Sequence, residues 1–61
     1  MFIKIKTSDD KDVWINKYEV IALEWDPEDQ CTMIIMHNDL VYSIKNGLDE
    51  TVHQLGFNGK E

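Results

Sequence analysis

Arginine is absent from this chain, and its 61 residues hold only one cysteine, one proline and three glycines. The single thiol, Cys31, excludes an internal disulfide, and no Cys/His cluster has the spacing of a structural zinc site. No apolar run approaches the roughly 20 residues of a membrane-crossing helix. The opening stretch MFIKIKTSDD is too short and too polar for a signal peptide. These absences lead to the expectation of a cytosolic protein with a reduced thiol and no membrane contact. Three scattered glycines form no phosphate-cradling loop and no glycine-rich oxyanion turn. A chain this short has too little mass to enclose a substrate pocket of the usual roughly 300–1,000 Å³. Neither an enzyme nor a cofactor is expected, although Cys31 and His53 would supply a nucleophile and a base if they met.

The missing arginine bears on partners. All six cations are lysines, whereas bidentate recognition of phosphates and bases favours the arginine fork. Direct nucleic-acid binding is therefore disfavoured. Net charge is −6 and unevenly spread: residues 1–17 sum to +1, residues 18–44 to −6 with no base, and residues 45–61 to −1. An acidic middle keeps a protein dispersed and steers it towards basic surfaces.

What is present is mostly period-two alternation. FIKIK puts Ile3 and Ile5 on one face and Lys4 and Lys6 on the other, and DVWI repeats the pattern after the polar turn TSDDK. NKYE (16–19) is a short break. VIALEW (20–25) then reads as a central strand, or one whose second face meets another subunit, with Ile21, Leu23 and Trp25 sharing a side. DPEDQ (26–30) is a turn, since proline fixes its own φ and restricts the residue before it. CTMIIM (31–36), the turn HND and LVYSI (40–44) close the meander. The period then changes. Leu48, Thr51, Val52 and Leu55 fall on one face of a helix over 47–55, with Asn46 as N-cap, Asp49 at the capping-box position and Gly56 as the stop. The expected fold is mainly β: an antiparallel meander of four to five strands plus one short C-terminal helix, in a single domain over 1–57, followed by a disordered tail, 58–61. With neither disulfide nor metal to support so small a core, self-association into a homo-oligomer is the natural remaining support.

EWDPEDQ (24–30) is the densest polar cluster, with Glu24, Asp26, Glu28 and Asp29. Proline interrupts it, and neither the mid-loop glycine nor the late glutamate of a calcium loop follows, so no metal site is expected. Trp14 alternates away from Val13 and Ile15, and Trp25 borders the acidic turn. A 61-residue chain has little material to cover two tryptophans. The expected partner-binding residues are thus Trp14 and Trp25 as apolar anchors, with Glu24, Asp26, Glu28 and Asp29 steering towards a protein with a basic surface. Met33 and Met36, with Ile34 and Ile35, would line either a subunit contact or the core. Two further readings stay open. A row of carboxylates can imitate a phosphate backbone, as an anti-host inhibitor encoded by a phage or mobile element would in the host cytoplasm. Alternatively, Lys4, Lys6, Lys11 and Lys17 would contact a small anionic, nucleotide-like ligand sequestered between aromatics.

The order of these signals resembles the small FlbD-type flagellar proteins, including the SwrD group. The likeness runs through the strand end VWIN (13–16), the strand and turn VIALEWDPED (20–29), the pair TMIIMHNDLVYSI (32–44) and the acid-led helix LDETVHQL (48–55). The chain departs from that family with Asp9 and Asp10 where Asn-Gly is usual, and with its two tryptophans. The resemblance implies a non-catalytic flagellar accessory protein acting on a protein partner. The pattern is also partly similar to LytTR-type DNA-binding domains, but the basic residues that would touch DNA are missing.

Overall fold

The computed structural model describes residues 1–57 as five strands and one helix; the tail expected over 58–61 lies outside them. Strands β1 (Phe2–Lys6) and β2 (Asp12–Asn16) form an antiparallel hairpin in which Ile3 faces Ile15 and Ile5 faces Val13. These four point inward, as their alternation requires. Phe2, Lys4, Lys6, Asp12, Trp14 and Asn16 point outward. The turn between the strands is held by Thr7, whose N–H donates to the Lys11 carbonyl at 2.8 Å and whose hydroxyl accepts from the Lys11 N–H at 3.1 Å. Asp10 takes a left-handed backbone there (φ 66°), which a short polar side chain tolerates.

A single turn of 3₁₀ helix, Lys17–Glu19, separates this hairpin from the rest, and Asn16 caps it by accepting from the Tyr18 N–H at 3.1 Å. Beyond it lie β3 (Val20–Asp26), β4 (Cys31–Met36) and β5 (Val41–Ile44), in the spatial order β3-β4-β5. The meander is therefore split into two sheets, and β3 is an edge strand rather than a central one. The centre is β4. Its inward row is Thr32, Ile34 and Met36, all buried, while Met33 and Ile35 on the other side are half-buried.

The expected face of Ile21, Leu23 and Trp25 is also corrected. Val20 pairs with Met36 and Ala22 with Ile35, so the ladder carries a bulge at Ile21. One inserted residue reverses the parity of a strand. Val20 and Leu23 consequently both pack on the core, and Ile21 is 60% exposed.

Helix α1 (Leu48–Gln54) lays Thr51 and Leu55 inward. Its start differs in detail from the expectation. Gly47 is the N-cap and Glu50, not Asp49, reaches back to accept from the Gly47 N–H at 3.2 Å. Asn46 is engaged elsewhere, donating to Gln54 Oε1 at 2.8 Å. Leu48 stays at the rim, 38% exposed. The C-terminal stop is as read: Gly56 turns left-handed (φ 83°), and the N–H groups of Gly56 and Phe57 donate to the His53 and Val52 carbonyls, each at 3.0 Å. That is the paired bonding of a Schellman ending.

The inner faces of both sheets and the helix meet in one core of Ile5, Ile15, Ile34, Met36, Ile44 and Leu55. Two threonines are buried with it and both are satisfied. Thr32 Oγ1 donates to the Asn46 carbonyl and Thr51 Oγ1 to the Gly47 carbonyl, each at 2.8 Å. Together they tie the link before the helix to β4 and to the helix's first turn. Among the described residues no helix is long and apolar enough to cross a membrane.

Leu55 is fully buried where helix and sheets converge. Leu55→Ala should cost about 2–5 kcal/mol. That is a large share of the roughly 3–9 kcal/mol expected of a domain of this size. Ile21→Ala, at the exposed bulge, should stay within about 0.5 kcal/mol. Urea unfolding of both variants checks the contrast.

Candidate functional site

The acidic turn is organised by its first residue. Asp26 Oδ1 accepts from the N–H of Glu28 at 3.0 Å and of Asp29 at 3.4 Å. The side chain thus closes the turn on its own backbone, while Pro27 presets φ at the next position. Gln30, with φ 53°, completes the reversal into β4. Asp26 is half-buried in this role, whereas Glu28 and Asp29 project freely from the tip. Among the described residues none of Glu24, Asp26, Glu28 and Asp29 has a cation within ion-pair distance.

The residues expected to bind a partner do not share one surface. Trp25 pairs with Thr32 on the inward side of the sheet but sits at its edge, 42% exposed, at the base of the acidic turn. Glu24 pairs with Met33 and points to the opposite, outer side. Trp14 belongs to the other sheet, 63% exposed and directly across from Lys4. Three groups result: the turn with Trp25, the outer face of the three-stranded sheet with Glu24, and the outer face of the hairpin with Trp14.

The lysines do not converge either. Lys6 Nζ lies 3.2 Å from Asp12 Oδ1, and Lys11 Nζ lies 3.8 Å from Asp9 Oδ2. Both pairs are exposed, so water screens them and neither anchors the fold. Lys17 is at the other end of the hairpin, its ammonium 5.4 Å from the centre of the Phe57 ring and 5.9 Å from that of Tyr18. There it covers the end of the helix, 3.1 Å from where a Cβ on Gly56 would stand. Lys4 stands beside Trp14 with no ion pair among the described residues.

Lys11 does border a cleft of about 370 Å³ between the hairpin turn and β5, which Thr7, Ser8, Tyr42 and Ser43 also line. The Ser8 N–H donates to the Ser43 carbonyl at 2.7 Å and joins the two sheets here, while the Ser8 hydroxyl is buried without a partner. The carboxyl of Asp9 is held below its ordinary 3.8, chiefly by the hydrogen bond that the Thr7 hydroxyl donates to it. The Lys11 ammonium adds to the effect.

Cys31 is buried and starts β4; His37 follows the far end of the same strand, 4.0 Å from Glu19. Among the described residues no three His, Cys, Asp or Glu side chains gather closely enough to hold a metal ion.

As alternation in FIKIK predicts, Phe2 joins Lys4 and Trp14 on the hairpin exterior, 64% exposed. One feature escaped the sequence reading: Ala22, Ile35 and Val41 form a row across the exterior of all three strands of the larger sheet. It needed the bulge, because parity counted from Val20 puts Ala22 on the wrong side. The four-residue group Met33 to Met36 is divided: Ile34 and Met36 lie in the core, Met33 and Ile35 outside it. The chain matches no protein-family model, no curated protein and no solved structure.

Asp9 is more acidic in the folded chain than in the unfolded one. Its stabilising contribution is therefore complete above the unfolded pKa and disappears as pH falls through the folded value. In an NMR titration its carboxyl should have a midpoint below 3.8, should move up in Thr7→Val, and should stay low in Thr7→Ser, which keeps the hydroxyl. Asp26→Ala should destabilise by about 1 kcal/mol through loss of the turn's hydrogen bonds. Glu28→Gln should stay within about 0.5 kcal/mol. Thermal melts of the two variants distinguish a turn-forming carboxylate from a projecting one.

Proposed function

We propose that the protein is a small, non-enzymatic, acidic binding protein of the cytosol that self-associates and acts by binding or inhibiting a macromolecular partner with a basic surface. One observation carries this reading: Trp25 remains 42% exposed beside Glu28 and Asp29, whose carboxylates have no cation near them among the described residues. Exposed indole is apolar surface that a partner can dehydrate, and adjacent carboxylates speed encounter with a basic patch. Asp26 supports the tip by holding its backbone, and Glu24 extends the negative field onto the sheet exterior. The resemblance of residues 13–55 to FlbD-type flagellar accessory proteins agrees with a binding role and a protein partner.

The cleft beside Lys11 favours a second reading, in which the protein sequesters a small anionic ligand. The Lys11 ammonium, the Tyr42 ring and several hydroxyls surround about 370 Å³, and a phosphate-bearing molecule would have to take Lys11 from the Asp9 carboxylate that also lines the cleft. The two readings separate in one experiment. The immobilised chain is exposed to cell lysate, and retained proteins and small molecules are both identified. For a retained protein, association is followed by stopped-flow at low and high salt. The rate constant should fall as salt rises, and Glu28→Gln with Asp29→Asn should lower it and flatten the salt dependence. Trp25→Ala should mainly accelerate dissociation. An association rate indifferent to both salt and the double variant would remove the steering role, and retention of a small anion alone would favour the cleft.

A further inference from the structure

We infer that copies of this chain assemble head to tail, the exterior of the hairpin β1–β2 on one copy seating on the exterior of the three-stranded sheet of the next. The inference deepens the self-association in the proposed function and rests on it. It starts from how the core is built. Both sheets give their inner faces to one cluster, so their outer faces point away from that cluster and away from each other. Phe2, Lys4 and Trp14 on one and Ala22, Glu24 and Val41 on the other are exposed.

Each exterior is apolar enough to be an interface. On the hairpin, Phe2 and Trp14 flank Lys4 and are 64% and 63% exposed. On the sheet, the row Ala22, Ile35 and Val41 is joined by Met33, with Val41 52% exposed. Contiguous apolar surface of this kind on so small a domain marks a contact site.

Charge selects the occupant. The hairpin exterior carries Lys4 and Lys6 against Asp12 and is net positive. The sheet exterior carries Glu24, and no residue of β3, β4 or β5 is a lysine or arginine. Two sheet exteriors placed face to face would bring together two surfaces whose strand charges are acidic only, and two hairpin exteriors two net-positive ones. Both arrangements set like charges against each other. Hairpin against sheet instead offers Lys4 to Glu24 and Trp14 to the apolar row. A second copy of this chain thus has what each face needs. Because the two faces differ, the contact is heterologous: every copy keeps one unused face of each kind until a ring closes or a chain of copies grows. Each contact adds burial to a domain whose own core is small.

The test uses the full chain in sedimentation equilibrium over a dilution series. The wild type should show an average mass rising with concentration above the 7.2 kDa of one chain. Lys4→Gln with Trp14→Ala disables the hairpin face; Glu24→Lys with Val41→Lys disables the sheet face, and the two altered faces offer each other no opposite charge at positions 4 and 24. All four positions are exposed, and circular dichroism melts confirm the fold. Should either variant melt early, Lys4→Gln and Glu24→Gln replace them. Each variant alone should stay at the mass of one chain. Mixed in equal amounts they should form a one-to-one pair at twice that mass and nothing larger, since one intact face of each kind remains. A wild-type dimer of fixed mass, with variants that fail to complement on mixing, would overturn head-to-tail assembly while leaving self-association standing. A wild type that stays at 7.2 kDa throughout would overturn both, and would leave binding through Trp25 and the acidic turn to its own test.

Discussion

Everything else in this structure depends on one small core shared by two sheets. Ile5 and Ile15 from the hairpin meet Ile34 and Ile44 from the three-stranded sheet, and Leu55 from the helix closes the remaining side. None of the three layers is stable alone: a two-stranded hairpin is marginal in water, and a seven-residue helix is too short to persist unsupported. Each must spend its single apolar face on the others. Where polar atoms enter this core they are bonded, as the hydroxyls of Thr32 and Thr51 show by holding the link at residues 46–47. The result is a fold whose inner faces are fully committed and whose outer faces carry whatever the sequence alternates against them.

That division decides what surfaces are available for binding. Alternation in β1 and β2 puts aromatics and lysines outside because isoleucine and valine are inside. In β4 both rows are apolar, so one of them is left facing outward whichever way the strand turns. The acidic turn is a separate object. Its position follows from the β3–β4 reversal, and its shape from Asp26 and Pro27. Only Glu28 and Asp29 at the tip, with Trp25 at the base, are free of structural duty. The cleft beside Lys11 arises differently, where the hairpin turn leans on β5 through the hydrogen bond from Ser8 to Ser43.

Much of the fold was legible because it rests on local rules. Strand positions followed from period two, the turn at 26–30 from Asp-Pro, and the helix and its glycine stop from a change of period and the demand for positive φ at Gly56. The outward placement of Trp14 and Phe2 and the burial of Cys31 were legible too. Other features were not, because they depend on which strands meet. Nothing in VIALEW distinguishes an edge from a centre, and nothing in it announces an extra residue at Ile21. The choice of Gly47 and Glu50 over Asn46 and Asp49 at the helix start was equally hidden. Asn46 is drawn away by Gln54 and Thr32, partners that only the folded chain brings near. The candidate site was half visible. Its carboxylates were surface-prone, but the grouping of all six residues depended on strand side, and the bulge and the split of the meander scattered them over three surfaces.

By itself, then, the sequence determined the kinds of element, their order, the sign of charge along the chain, and the exclusion of an internal disulfide. Those are properties of residue type and spacing, and they hold whatever the elements pack against. Tertiary structure alone decided that the meander divides at Lys17–Glu19, that β4 rather than β3 is central, and that Lys4 and Glu24 end on exteriors directed away from one another. These outcomes turn on the parity of each strand relative to a shared core, and parity is settled only when one chain segment presses against another.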